Sequence, residues 1–390
     1  MPYFTVHIFP LVSVFGLYAV SSFMTYSGLA EAFAASQGGG KDGPYVRLLP
    51  DGHTPVLTAY TGLGLLDAYL ANLQYIFVPV VDGSSPELSL LGWHWGNLLL
   101  PLFVVMLGES LRSGRARDLV LFGLWGLAIQ YCGYFVTMPI YCYVHLLSST
   151  ITSWRPSPTA ARLIPISMLV GYVLPSVAMS LSSLHSGQSR QVAVAVWQNF
   201  PAWIATVQWA LMWWTSSMPS PPDAAASSKK PTPSPSKGFE NAATRIYRAV
   251  ALISGLMHVA GLMPVLLAIL WPEHLVALSP VNLDEPTLLS LQAGHFFLPP
   301  KWDSRVQISS MAEGAGNFLR YDYYIGTAAA LLWAAIFRNS RRRQVVSKRQ
   351  NASTERSWWS VGIAGAKQCL MIATSTVMGG PGFTIAILMN

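Results

Sequence analysis

Five residues are candidates for chemistry because they lie in or beside long apolar stretches: Asp67, Asp82, His94, Glu109 and Asp322. Ionisable side chains are energetically unfavourable inside a membrane, so by default they mark function there. A carboxyl group that an apolar site keeps neutral is a competent proton donor. These residues therefore suit acid catalysis in an apolar setting.

The clearest candidate is Asp67, which falls near the centre of the apolar run 60–80. No basic residue lies within a helical turn of it, so it lacks an ion-pair partner on its own helix. We expect a proton donor at this position. A packing role, with a hydrogen bond to Asn72 or to a neighbouring helix, would also explain a buried acid here.

The next two candidates flank one short loop. Asp82 lies where an apolar run ends, which also suits a turn or capping residue. His94 lies between two tryptophans at the start of the following run, and tryptophan favours membrane interfaces. If the loop is short, Asp82 and His94 lie on the same side of the membrane and could form a relay pair.

Glu109 and Asp322 each have a basic neighbour. Arg112 lies three residues after Glu109 on the same helical face, so a structural ion pair is as good an explanation as catalysis. Arg320 is close enough to Asp322 to pair with it. A further ionisable residue, His258, falls in mid-run beside glycines that permit close helix approach.

The elements that must position these residues are membrane helices. Of the 390 residues, 52% are hydrophobic and 11% are charged, against roughly 25% charged in soluble proteins. A spanning helix needs about 20 mostly apolar residues. The chain is therefore predicted to be an all-α polytopic integral membrane bundle of about eight or nine transmembrane helices. The predicted spans are about 3–30, 57–78, 90–111, 119–147, 162–184, 191–214, 245–271, 318–337 and 358–378. The last of these is predicted to break at Gly379-Gly380-Pro381.

Composition divides the chain into two groups of spans. Residues 1–214 form a predicted N-terminal bundle of about six spans. Residues 215–240 are rich in Pro, Ser and Lys and are predicted to be a disordered linker. Residues 241–390 come next as a C-terminal bundle of two to three spans, with a long loop at 272–317.

The net charge of +7 comes largely from basic clusters at 112–117, 229–237 and 341–349. The positive-inside rule favours all three on one side of the membrane. The predicted spans place three crossings between the first two clusters, which would separate them. Either one segment is re-entrant, or the run 119–147 is not a single crossing.

Several familiar motifs are absent. The sequence has no phosphate-binding GxxxxGK[ST] loop, no HExxH and no GxSxG. It also lacks the DDxxD and DxDD carboxylate motifs. We therefore expect no metal, nucleotide or other cofactor. No basic face with interleaved aromatic residues indicates a nucleic-acid partner.

Seven strings stand out by their order and spacing. They are GLLDAYLANLQYIFVPVVDG (64–83), ESLR (109–112), PIYCYVHLLSS (139–149), IPISMLVGYVLPSVAMSL (164–181), VWQNFPAWIATVQWAL (196–211), RYDYYIGTAAALLWA (320–334) and GGPGFTIAIL (379–388). Together they resemble a fungal family of polytopic membrane enzymes from secondary-metabolite clusters. The family includes epoxide hydrolases of aurovertin- and citreoviridin-type pathways and terpene cyclases of ascochlorin- and ascofuranone-type pathways.

The resemblance implies acid-initiated opening of an epoxide on a lipophilic polyketide or meroterpenoid intermediate, by hydrolysis, cyclisation or both. The positions that match the family pattern are Asp67, Asp82, Glu109 and Asp322. The resemblance implies no cofactor. The expected partners are the lipophilic substrate, the lipid bilayer and a pathway epoxidase, and the expected location is the endoplasmic reticulum membrane.

A small-molecule transporter or exporter is the alternative from another functional class. An enzyme predicts a closed aromatic pocket with two acids near one substrate oxygen. A transporter predicts a water-accessible path from both membrane faces to acids at the midplane. The aromatic content, 14 Trp, 16 Tyr and 16 Phe, favours a site that stabilises a cation.

Overall fold

A computed structural model describes residues 6–37, 47–148, 157–181, 187–217, 234–279, 283–303, 305, 307–349 and 358–390. Across these ranges every regular element is a helix, and the only extended pairing is the isolated bridge between Leu48 and Pro55. The predicted all-α class is confirmed.

Sixteen helices are labelled in chain order within the described ranges. A π-helical turn, Leu169–Val173, joins α7 to α8. The helices are α1 Ile8–Tyr26, α2 Leu29–Gln37, α3 Gly64–Val81, α4 Pro86–Leu111, α5 Ala116–Cys132, α6 Tyr134–Ser148, α7 Pro158–Met168, α8 Leu174–Ser180, α9 Gly187–Trp197, α10 Phe200–Ser217, α11 Pro235–Leu270, α12 Pro272–Leu278, α13 Glu285–Ser290, α14 Ala293–Phe297, α15 Met311–Arg349 and α16 Trp358–Met389.

Six helices among the described residues are long and apolar enough to cross a membrane, which supports a membrane protein. The predicted count of eight or nine is not confirmed. Two predicted spans are broken: 119–147 divides at Gly133, and 191–214 divides between α9 and α10. The six are Ile8–Tyr26, Gly64–Val81, Pro86–Leu111, Pro158–Ser180, Ser236–Leu270 and Gly365–Met389.

Gly133 reverses the chain between α5 and α6. Its φ of 92° is a left-handed backbone conformation that glycine adopts readily. The Thr137 hydroxyl donates to the Ala128 carbonyl at 3.1 Å, and the rings of Trp125 and Tyr141 lie 5.8 Å apart. A straight helix would separate that ring pair by about 24 Å. The fourth predicted run is therefore a helical hairpin rather than one crossing.

This hairpin brings the basic clusters to one end of the bundle. Arg112, at the end of α4, pairs with Glu240 in the first turns of α11. Arg341, near the end of α15, pairs with the same carboxylate at 3.1 Å. Lys237 lies one turn before Glu240, whereas residues 229–230 lie outside the described ranges. The sequence left two explanations for basic clusters on one side of the membrane: a re-entrant segment, or a run 119–147 that is not a single crossing. The structure supports the second explanation.

The predicted linker 215–240 is too wide, because helices occupy both of its ends. α10 continues to Ser217, and α11 begins at Pro235. Phe239 is completely buried, so the start of α11 belongs to the core. The remaining residues, 218–233, lie outside the described ranges.

Helices from both sides of this segment share one core. α11 and α16 pack against α4, and α15 packs against α6 and α1. Gly380 interrupts α16 with a φ of 83°, which confirms the predicted break. The predicted last span, 358–378, ends too early, because the spanning stretch is Gly365–Met389. Beyond the break, Gly382 packs directly against Pro101 of α4.

Candidate active site

The structure places Asp67 in the first turn of α3 rather than at the centre of a span. Its carboxylate accepts hydrogen bonds from the Thr61 backbone N–H and hydroxyl, both at 2.8 Å, and from the Gly62 N–H at 3.0 Å. The predicted position was wrong because the apolar run begins as a loop at 60–63. These bonds are those of a side chain that holds the loop against the helix N-terminus.

Asp82 and His94 lie in different surroundings. Asp82 comes directly after the last residue of α3, and its carboxylate accepts from the Ser84 N–H at 2.8 Å, as in a turn. His94 is buried in α4, with its ring 5.7 Å from His258 and 5.6 Å from Phe296. Among the described residues, no hydrogen bond joins this aspartate to this histidine, so the geometry does not support the predicted relay pair.

Glu109 forms the ion pair that its spacing predicts. Arg112 Nε lies 2.7 Å from Glu109 Oε1, and both side chains are buried. The Tyr247 hydroxyl lies 3.5 Å from the same oxygen. Because Arg112 also pairs with Glu240, the charges at this end of α4 are compensated by one network.

Asp322 is a buried acid on α15 that stabilises a helix end. Its Oδ1 accepts from the Phe135 N–H at 2.7 Å, 187 residues away in sequence. That N–H belongs to the first turn of α6, which the reversal at Gly133 leaves without a helical partner. The carboxyl group is thus held at the turn of the α5–α6 hairpin.

Arg320 does not pair with Asp322 as the spacing predicted. Its guanidinium instead pairs with Glu87 at the start of α4, and its Nη1 donates to Asn317 Oδ1 at 2.7 Å. Its Nε donates to the Phe296 carbonyl at 2.8 Å. The two side chains, two residues apart on a helix, point to different neighbours. The acid is therefore left without this arginine as a counter-charge.

Aromatic residues adjoin the acid in the chain and at its hydrogen-bond partner: Tyr323 follows Asp322 on α15, and Tyr134 precedes Phe135. Trp95 lies 5.5 Å from Tyr134 and 5.4 Å from Tyr323, measured between ring centroids. The Tyr134 hydroxyl and the indole N–H of Trp95 are buried and have no hydrogen-bond partner among the described residues. We call Trp95, Tyr134, Asp322 and Tyr323 the Asp322 site.

Glu109 and Asp322 lie near opposite ends of the bundle. Glu109 shares its network with Arg341, which lies 19 residues (341 minus 322) beyond Asp322 along α15. That length of helix spans about 28 Å. These two acids therefore cannot meet at one substrate oxygen, contrary to the arrangement expected of an enzyme pair.

Two residues of this site have only weak signals in the sequence. The pattern around Trp95 favours an interfacial belt, and no pattern singles out Tyr134. Gly133, in the middle of a long apolar run, is the available signal for a turn that places Tyr134 beside α15. Within the described ranges, no group of three or more His, Cys, Asp or Glu side chains could hold a metal ion.

Comparison with known proteins identifies a shared family model. The model described as "CtvD domain" matches residues 5–390. Terpene cyclase ascI of Acremonium egyptiacum is 28% identical over 82% of this chain and 76% of its own length. Terpene cyclase ctvD of Aspergillus terreus is 31% identical over 83% of this chain and 84% of its own length. Terpene cyclase janA of Penicillium janthinellum is 26% identical over 70% of this chain and 68% of its own length. No solved structure matches.

Proposed function

Because this chain belongs to the CtvD-domain family, we propose that it is a membrane terpene cyclase that starts its reaction by protonating an epoxide. The relatives named terpene cyclase support a cyclase role. The observation that carries the assignment of the acid is that Asp322 is buried, accepts from the Phe135 N–H next to Tyr134, and forms no ion pair with an arginine among the described residues.

Asp322 would donate its proton to the epoxide oxygen. An O–H bond then forms, one C–O bond breaks, and positive charge develops on the released carbon. The negative carboxylate that remains is stabilised by the Phe135 N–H, which already points at it. The faces of Trp95, Tyr134 and Tyr323 stabilise the cation while a double bond of the substrate attacks it.

The substrate proposed for this chemistry is a lipophilic intermediate, a prenylated meroterpenoid or polyketide that already carries an epoxide. Such a molecule partitions into the bilayer, where the apolar helices of this protein lie. An upstream epoxidase would supply it. The chemistry needs no metal or nucleotide. We place the enzyme in the endoplasmic reticulum, which co-fractionation with markers of that membrane would test.

Membranes that contain the protein, incubated with terminal epoxides of prenylated aromatic compounds, test the proposal. A cyclase yields products with the same mass as the substrate, whereas hydrolysis adds the mass of water. We expect isomeric cyclic products, and we expect excess EDTA to leave their rate unchanged. A diol as the sole product would replace cyclisation with hydrolysis, and loss of turnover in EDTA that magnesium restores would refute the metal-free mechanism.

A further inference from the structure

A second polar cluster lies on the face of α4 next to the one that meets the Asp322 site. Three buried atoms in it have no hydrogen-bond partner in the part of the chain that the structure describes: His94 Nε2, Asn97 Oδ1 and His258 Nδ1. The two imidazole rings lie 5.7 Å apart, edge to face. Buried polar atoms are normally paired, so unpaired ones at one place indicate a group that binds there. We call these three residues the His258 cluster.

The break in α16 determines which nitrogen of His258 is free. Pro381 has no N–H, so it cannot donate to the Val377 carbonyl four residues earlier. His258 Nε2 lies 3.2 Å from that carbonyl oxygen. Because a carbonyl only accepts, Nε2 must carry the hydrogen, and a neutral ring then has its lone pair on Nδ1. The basic nitrogen of His258 is therefore the unpaired one.

Gly380 packs closely against the His258 ring. A Cβ atom at this position would lie 2.8 Å from His258 Nδ1, closer than real contacts allow. The φ of 83° also disfavours any other residue. The backbone of the kink thus both fixes the tautomer of His258 and packs directly against its ring, while its basic nitrogen stays without a hydrogen-bond partner among the described residues.

Resting on the proposed function, we infer that His258 is the base that ends the reaction by removing a proton from the last carbocation. His94 and Trp95 are consecutive on α4, so the His258 cluster and the Asp322 site are neighbours. In this proposal the epoxide end of an isoprenoid chain lies at Asp322, and a later part of the same chain lies at His258.

The proton that the substrate loses in this last step balances the proton that it gains in the first step. A C–H bond next to the cationic carbon breaks, its electron pair becomes a C=C bond, and the proton passes to His258 Nδ1. Asp322 has donated one proton and His258 has accepted one, so the product is an isomer of the substrate. Both groups regain their starting protonation states by exchange with solvent between turnovers.

The substitution His258→Gln tests the inference, because a glutamine amide can still donate to the Val377 carbonyl but is not basic. We expect membranes with this variant to consume the epoxide within about tenfold of the wild-type rate. The share of the wild-type product should fall at least several-fold, replaced by products that water has captured or by other alkenes. His274→Gln, at an exposed position of α12, is the matched control and should give the wild-type product ratio.

The product ratio does not depend on how much protein folds, so a partial loss of folding leaves the readout intact. An unchanged ratio in His258→Gln would overturn the inference. Complete loss of epoxide consumption by folded protein would also overturn it, because His258 would then act in the first step. If the wild-type protein consumes no epoxide, the proposed function itself fails.

Discussion

At the scale of single residues, Asp322 has two roles that chemistry can separate. Its carboxyl oxygen accepts a hydrogen bond at the first turn of α6, and its proton is the proposed acid. An amide retains the accepting oxygen and loses the acidic proton. A methyl group loses both. Substitution can therefore distinguish a helix cap from a catalyst.

We expect Asp322→Asn to keep the fold and to lower turnover at least about 100-fold, the usual contribution of a general acid. Asp322→Ala should also lose about 1 kcal/mol of stability, as other lost caps do. Turnover in membranes and thermal unfolding of the purified protein measure the two effects. Asp118→Asn, at the start of α5, is the control. Near wild-type turnover in Asp322→Asn would remove this residue from the mechanism.

For Asp67 we expect substitution to affect stability rather than turnover. Because its carboxylate anchors the loop residues Thr61 and Gly62, Asp67→Asn should retain most turnover. The unfolding temperature should fall, since an amide accepts these hydrogen bonds less strongly than a carboxylate does. If turnover is abolished while the protein remains folded, Asp67 is the acid and the assignment to Asp322 is in doubt.

At the scale of elements, the α5–α6 hairpin positions the Asp322 site. The turn leaves the first N–H groups of α6 free, and one of them holds the acid. The same turn places Tyr134 against Trp95. A conformational change at Gly133 should therefore affect both stability and catalysis.

Gly133→Ala tests this dependence. The left-handed φ of 92° is unfavourable for alanine by roughly 1–2 kcal/mol. A Cβ atom would also lie 2.6 Å from the Phe135 ring. We expect a lower unfolding temperature and reduced turnover. Gly365→Ala, where an added Cβ meets nothing within 4 Å, should change neither measurement appreciably. Equal behaviour of the two variants would contradict the hairpin.

The segment between α10 and α11 offers a matched pair of replacements. A Gly/Ser stretch in place of 218–233 should leave turnover intact, because that sequence is rich in Pro, Ser and Lys and contains little apolar surface to bury. Extending the replacement to 240 should reduce the amount of folded protein, since it removes Phe239 and Glu240. If the shorter replacement abolishes turnover, this segment takes part in the reaction.

At the scale of the whole molecule, one ion network joins three helices. Glu240 of α11 contacts Arg112 of α4 and Arg341 of α15. α11 is 36 residues long in all, about 54 Å, and Glu240 lies in its first two turns, so α12 and α13 lie at the other end of the bundle. The position of the network therefore predicts which segments share a membrane face.

Labelling with a membrane-impermeant maleimide checks this topology. Single cysteines at Arg115→Cys and Ser236→Cys should react from the same side of sealed vesicles, and Asp284→Cys should react from the other side. All three positions are exposed at helix ends or nearby turns. Reaction of the first two from opposite sides would contradict the fold. The background protein has serine in place of Cys132, Cys142 and Cys369.

The sequence by itself determined the features that depend on neighbouring residues. Apolar composition indicated membrane helices, the spacing of Glu109 and Arg112 predicted their ion pair, and Gly380 beside a proline predicted a break. Seven sequence strings also indicated the family, and the match of the CtvD-domain model to residues 5–390 confirms it.

Only the tertiary structure decided which helices face each other. Apolar periodicity reports that a side chain is buried but not which neighbours bury it. Asp322 therefore pairs with Phe135, 187 residues away, and Arg320 with Glu87, 233 residues away, rather than with each other. Gly133 alone turned one predicted span into two helices and reversed the direction of the chain after it. Packing between distant segments, which local pattern does not encode, decided where the acid lies.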